Sequence, residues 1–283
     1  MYRYGVAEAL FLGIDKAVLL LKGHSPSLEP NGEIGLEIGT ARLRDGHANR
    51  LMTRLAPFRR PIHRSASMFF RTKDGHALKA NPFGAVVVPR PIAWIGTRRR
   101  AADGSLSDNL APYSFFNAVA YTPPQLMFAS VTTKDTLGNL LANSEAARAG
   151  SAGDADADEP YAGAVFSVNL VEASMAEKMN ATSTMAKVDE WQLADVGKDE
   201  CVDIDCPRVK DAPATLECRV VDIVRIKGKD NHIVIGEVIA THLREDCMDE
   251  DEHFDASKCG LVSRLGYDDY INVSETFHMP RPK

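Results

Sequence analysis

Two stretches of the 283-residue chain gather groups able to hold a polar ligand. In Asn109-Leu110-Ala111-Pro112-Tyr113-Ser114-Phe115-Phe116-Asn117, hydroxyl and amide side chains sit between aromatic ones. In Ser130-Val131-Thr132-Thr133-Lys134-Asp135-Thr136, hydroxyls and a lysine crowd the approach to a segment that reads as a helix, with Asp135 as its N-cap. Backbone N–H groups at a helix start give direction and a lysine gives a point charge, which together make the chemistry of a phosphate site. An ordinary capped helix start uses the same residue types, so the segment by itself leaves both readings open. Trp94 divides in the same way, between core filling in a β-rich run and the wall of a cofactor site.

Other chemistries lack their usual marks. The sequence contains no G-x-G-x-x-G, no G-x-x-x-x-G-K-[ST], no H-E-x-x-H and no G-x-S-x-G. Cys201 and Cys206 have no second pair at metal spacing, so ordinary thiols are the better reading than zinc. Five cysteines without a secretory signal point to reduced thiols, and to discounting the acceptor-like Asn180-Ala-Thr182 and Asn272-Val-Ser274. The Asp154/Asp156/Asp158 spacing is that of a calcium loop, but Glu159 stands where glycine is needed and Val165 where a bidentate glutamate is needed. Residues 149–160 therefore read as a low-complexity surface insertion. The run Asp249-Glu250-Asp251-Glu252 beside His253 reads as a solvated loop.

The elements that must position the two polar stretches are mostly strands. Ala85–Val88 and Pro91–Thr97 are short β-branched runs around Pro89-Arg90-Pro91, and they predict two strands joined by a kink. Ala102-Asp103-Gly104-Ser105 is a turn closing a hairpin onto the next segment. Gln125–Val131 and Val165–Leu170 read as strands, and Ala173–Asn180 as a short helix with Met175 and Met179 on one face. Ala214–Ile226 and His232–His242 form two long strands around a turn at Gly228–Asn231. Many strands with few short helices give a mainly β barrel or sandwich.

Residues 1–67 differ in character from the rest. They carry ten Lys+Arg against six Asp+Glu, +4, while residues 68–283 carry 23 against 33, −10, within the overall −6. The acidic larger part is a poor binder of nucleic acid, and no run of about 18 apolar residues offers a membrane span. Between Arg42 and Arg64 stand seven arginines and one acid, Asp45. That is the composition of an organelle transit peptide, with a disordered extension as the plainer reading. A cytoplasmic location is expected, with a mitochondrial one as the alternative raised by these arginines. Residues 68–283 are expected to be the folded domain.

Taken in order, Pro89-Arg-Pro-Ile-Ala-Trp-Ile-Gly-Thr97, Asn109-Leu-Ala-Pro-Tyr-Ser-Phe-Phe-Asn117 and Lys134-Asp-Thr136 resemble the flavin reductase-like FMN-binding split barrels, near the flavoredoxin-type proteins. Phe166-Ser-Val-Asn169, Met179-Asn-Ala-Thr182, Gly236-Glu-Val238 and Arg264-Leu-Gly266 with Tyr270 extend the likeness over about residues 69–281. The resemblance implies a homodimer of six-stranded Greek-key barrels holding FMN noncovalently near the subunit interface. It places Trp94 and Thr97 by the flavin, and Asn109, Leu110, Ala111, Ser114 and Phe115 along the isoalloxazine and ribityl chain. Ser130, Thr132, Lys134 and Thr136 would hold the phosphate, with Asn180 and Ala181 coming from the other subunit. His232 falls near a histidine found close to the flavin in relatives; the alternative is a strand-start histidine facing water. No metal site is implied. The function implied is an NAD(P)H-dependent flavin reductase. A second reading is an FMN electron carrier loaded by a redox partner protein, and a third is a barrel that has exchanged FMN for heme or a deazaflavin, with the phosphate-type cluster speaking against heme.

Overall fold

The computed structural model describes residues 67–150 and 160–282, so the Arg-rich segment and the Asp154/Asp156/Asp158 run lie outside the described residues. In chain order, helix α1 (Phe83–Val86) precedes strands β1 (Arg90–Pro91), β2 (Ala93–Arg100), β3 (Leu106–Tyr113), β4 (Phe116–Tyr121) and β5 (Pro124–Ser130). Helix α2 (Asp135–Gly150) leads to β6 (Val165–Asn169), then to α3 (Ala176–Ala181) and α4 (Glu190–Leu193). Strands β7 (Lys198–Glu200), β8 (Pro207–Val209), β9 (Ala214–Ile226), β10 (Asn231–Leu243), β11 (Val262–Arg264) and β12 (Tyr270–Asn272) complete the chain.

Seven of these strands form one antiparallel sheet in the order β3-β2-β6-β9-β10-β5-β4. Its two edge strands, β3 and β4, are consecutive in the chain and separated only by Ser114 and Phe115. The sheet must therefore curl until its edges meet at that corner, where Ala129 N donates to Phe115 O at 2.8 Å. Counted as one bent strand, β3 and β4 leave six strands. Strand β6 returns through α2 to lie beside β2, the spatial order 4-1-2-3 of a Greek key. The fold is the mainly β split barrel.

Strand β2 shows why its sequence does not alternate. Ala93 and Ile95 face a cluster inside the barrel with Phe128, Phe166 and Val168, while Trp94 and neighbouring Ile92 join an outer cluster with Leu110, Met179 and Trp191. Both faces of the strand are covered, so a continuous apolar run is what burial requires. At Gly96 a Cβ would meet Ser167 Oγ at 2.5 Å and the Pro207 carbonyl oxygen at 2.6 Å, which lets β8 pass close over the sheet. Leu137 and Leu140, three apart, pin α2 to the inner cluster.

The sequence-predicted strand at Ala85–Val88 is corrected: the chain forms the short helix α1 there. Asn81 Oδ1 accepts from Phe83 N at 3.0 Å at its start, and Ala85 packs against Gly266 instead of entering a ladder. Asp135 is the first residue of α2, and the helix runs two residues into the expected insertion, to Gly150. The hairpin turns fall where expected, with Gly104 at φ 81° and Gly228 at φ 141°. None of the helices among the described residues is long and apolar enough to cross a membrane.

Candidate functional site

The start of α2 is fastened to the β2–β3 pair by two amide–hydroxyl bonds. Asn109 Nδ2 donates to Thr136 Oγ1 at 2.9 Å, and Asn139 Nδ2 donates to Thr97 Oγ1 at 3.1 Å. Tyr113, from the same strand as Asn109, reaches Thr136 and Ser130; burial raises its phenol above the usual range, against the lowering effect of those hydroxyls. Ser130 Oγ donates to Thr132 O at 2.6 Å and holds the loop that leads into the helix. The Thr133 amide donates to Asp230 Oδ2 at 2.8 Å and keeps that carboxyl below its usual range. The Lys134 amide donates to Thr132 O at 3.0 Å. Two of the amides a phosphate could have used are thus engaged by the protein. The Thr133 hydroxyl also serves Asp230, which leaves the side chains of Thr132 and Lys134 facing outward, and no carboxylate among the described residues forms an ion pair with Lys134.

His232 is the second residue of β10 and stands directly across from Ser130 in the ladder. Its side chain is mostly enclosed, with Nδ1 3.7 Å from Asp230 Oδ1 and without a hydrogen-bond partner. It therefore neither faces open water nor borders the cleft described next; it sits beside the loop of the hydroxyl cluster.

The β3–β4 corner opens on its other side into a cleft of about 540 Å³. Ser114, Phe115 and Asn180 line it together with Arg90, Arg264 and Tyr270. Through the bond from Ala129 to Phe115, the backbone at the cleft wall is tied to the strand that ends at Ser130 and leads into the hydroxyl cluster.

The sequence-predicted residues thus divide into two layers. Phe115, Thr132, Lys134, Asn180 and Ala181 are exposed, and Ala111 and Ser114 are half-buried. Trp94, Thr97, Leu110, Asn109, Ser130 and Thr136 are buried, so the structure does not bring these side chains to the surface of the chain. Trp94 is fully enclosed and its indole donates to Thr182 Oγ1 at 2.8 Å, which is core packing with its polar handle satisfied. Sequence reasoning assigned no site role to Arg90, Arg264, Tyr267 or Tyr270. Arg90 carried one signal, a lone cation between two prolines in an otherwise apolar run.

The cysteines are free thiols, and burial pushes Cys206 and Cys218 up, with Cys259 pushed up to about 12. Such thiols are poor nucleophiles at neutral pH. Among the described residues no group of His, Cys, Asp and Glu could hold a metal ion.

Residues 85–261 match the model of the flavin reductase like domain. An uncharacterized protein of Deinococcus radiodurans is 38% identical over 207 residues, covering 70% of this chain and 82% of its own. Among solved structures, 2-nitrobenzoate 2-nitroreductase of Pseudomonas fluorescens is similar at 28% identity and a TM-score of 0.56, over 70% of this chain and 88% of its own. A split-barrel-domain protein of Shewanella frigidimarina is similar in fold, with a TM-score of 0.62 at 18% identity over 76% of this chain and 100% of its own.

Proposed function

The chain belongs to the flavin reductase-like family, and from that premise we propose that it binds FMN and accepts hydride from NAD(P)H. The observation that carries this reading is the backbone bond by which Phe115, in the wall of the cleft, is tied to Ala129 at the end of the strand that runs into the Thr132–Lys134 loop. The donor set fits a flavin mononucleotide: hydroxyls and a lysine for the phosphate, aromatic and small polar walls for the ring. When bound, the flavin supplies a hydride-accepting ring, and the protein supplies binding, orientation and electrostatics. Thr132 and Lys134 would hold the phosphate. Asn109, Ser130 and Thr136, buried behind them, fix the helix start that presents them. Ser114 and Phe115 would position the ring and exclude water from one face. An acid–base dyad is not required of such a site, because the transferred hydride moves between two cofactors.

Stopped-flow mixing of the FMN-loaded protein with NADH or NADPH tests the reading. Bleaching of the flavin absorbance within seconds at micromolar nucleotide is the expected result. Flavin that stays oxidised with both nucleotides would leave the electron-carrier reading in its place.

A second copy of the chain is proposed to complete the site. Asn180 is exposed at the rim of the cleft with the exposed Ala181 next to it in the chain, and β4 presents Val119 and Tyr121 to solvent. A two-fold partner covering these residues would enclose the ring. Flavin binding and assembly are then linked, because a ligand that binds only the dimer stabilises it by mass action. Asn180→Arg is expected to weaken dimerisation and FMN binding together, by roughly tenfold or more each, for a bulky charge placed at an interface core. Sedimentation velocity with and without FMN measures both. A monomer that holds FMN at full affinity contradicts the linkage.

A further inference from the structure

Arg90 is a cation whose partners hold it in place without neutralising it. Its Nη1 donates to Gly84 O at 2.5 Å and Val87 O at 2.6 Å, and its Nη2 donates to Leu265 O at 2.7 Å. All three acceptors are neutral carbonyls, and no carboxylate among the described residues forms an ion pair with it. Its Nε is buried without a partner, and the guanidinium lies 5.7 Å from the centre of the Phe115 ring. The second arginine of the cleft differs. Arg264 stacks on Tyr270 at 4.4 Å, bonds to the Tyr270 hydroxyl and the Tyr267 carbonyl, and faces Asp268 at 3.6 Å. Its charge has a counter-ion. The cleft therefore carries one uncompensated positive charge, fixed by backbone groups from α1, from the loop after it and from the segment after β11.

A fixed charge in a partly dry cleft interacts more strongly with an anion than the same charge in water. A flavin ring is neutral when oxidised and carries a negative charge at its imide edge when reduced by two electrons. We propose that Arg90 is the residue that matches this charge, so that the cleft binds reduced flavin more tightly than oxidised flavin. The proposal rests on the flavin reading above and adds to it a residue that sets the redox balance. Arg90 has a purely structural role as its alternative, since a guanidinium that ties three carbonyls is also a clamp. Affinity and melting temperature alone would not separate the two roles; the reduced-to-oxidised affinity ratio does.

The test measures the midpoint potential of bound FMN and its dissociation constant in the oxidised state for three variants of the full chain. Arg90→Met is expected to lower the reduced-to-oxidised affinity ratio about tenfold, equal to about 30 mV for a two-electron couple. Arg90→Lys, which keeps the charge and loses the fork, should recover most of that shift. Ser114→Asp leaves the clamp intact and sets a carboxylate in the same cleft, so it should lower the potential in the same direction. That variant reports only whether the ring lies in the field of this cleft; Arg90→Gln, which keeps a donor for the carbonyls and loses the charge, takes the place of Arg90→Met if the latter does not fold. Bound FMN with an unchanged potential in the folded Arg90 variant that lacks the charge overturns the role of Arg90 and leaves the flavin reading standing. Failure of the unaltered protein to bind FMN overturns the flavin reading itself.

Discussion

Glu217→Ala is expected to cost about 3 kcal/mol of folding stability, the low end of the range for breaking a buried charged pair. Glu217 lies in β9 with its side chain fully enclosed. Its carboxylate accepts from Val202 N at 2.7 Å and Asp203 N at 2.8 Å, and lies 2.5 Å from His242 Nε2. Alanine would leave two loop amides without their acceptor and the imidazole without its partner. The low end is chosen because His242 is partly exposed, so water can compensate some of the loss. For a domain of this size the melting temperature should fall by roughly 2–4 °C for each kcal/mol. The acid side gives a second signature. Burial pushes the Glu217 carboxyl upward, but the Val202 amide, His242 and the Asp203 amide outweigh it and hold the group below its usual range. A folded-state value below the unfolded one, about 4.3, means that the stabilisation is present above that pH and is lost as the pH falls through the folded value. The gap between the wild type and Glu217→Ala in urea melts should therefore narrow below about pH 4. Glu217→Gln should fall between the two and lose that acid-side dependence. A cost under about 1 kcal/mol at pH 7 would mean that the 201–203 loop does not depend on this anchor.

What could be read from the sequence follows how local each signal is. The long strands β9 and β10, the Gly104 and Gly228 turns and the start of α2 are set by neighbours in the chain, and each stands close to its expected place. Strands of two or three residues, such as β1, β11 and β12, have too few residues to show a period, and they form because their partners are placed by the barrel. The apolar run at 85–88 looked like a strand for the same reason in reverse: its β-branched residues find no ladder, and Ala85 is taken by Gly266. At the site, the motif positions were found but not the direction in which each side chain points. Along β3, Asn109 and Tyr113 face α2 while Leu110 joins the outer cluster with Trp94, so one motif serves two faces. Arg90 meets the carbonyl of Leu265, 175 residues away, and no spacing rule links positions that far apart. The cleft was thus legible in Ser114, Phe115 and Asn180 and hidden in its arginines and tyrosines.

Lys134→Met is expected to weaken FMN by about 1.5–3 kcal/mol, the range for a hydrogen bond to a charged group, or roughly tenfold to a hundredfold in the dissociation constant. The expectation starts from the loop geometry. The amides of Thr133 and Lys134 already serve Asp230 and Thr132, so a phosphate there depends more on side chains than a bare helix start would require. Asp135 and Asp230 bring two carboxylates to the same loop, Arg225 and His232 act on Asp230, and Lys134, an exposed cation without an ion pair among the described residues, stays available to an incoming anion. Methionine keeps the length and apolar stem and removes the charge. Riboflavin has the ring and ribityl chain without the phosphate, so its affinity should change by less than about twofold. Salt supplies an independent check, because an exposed charge pair is screened over about 10 Å at 0.1 M ionic strength. Raising the salt should therefore weaken FMN in the wild type and have little effect in Lys134→Met. Calorimetric titration of both ligands at two salt concentrations gives all four comparisons. Equal losses for FMN and riboflavin would place Lys134 in the fold rather than at the phosphate. An unchanged FMN affinity would move the phosphate away from the start of α2 altogether.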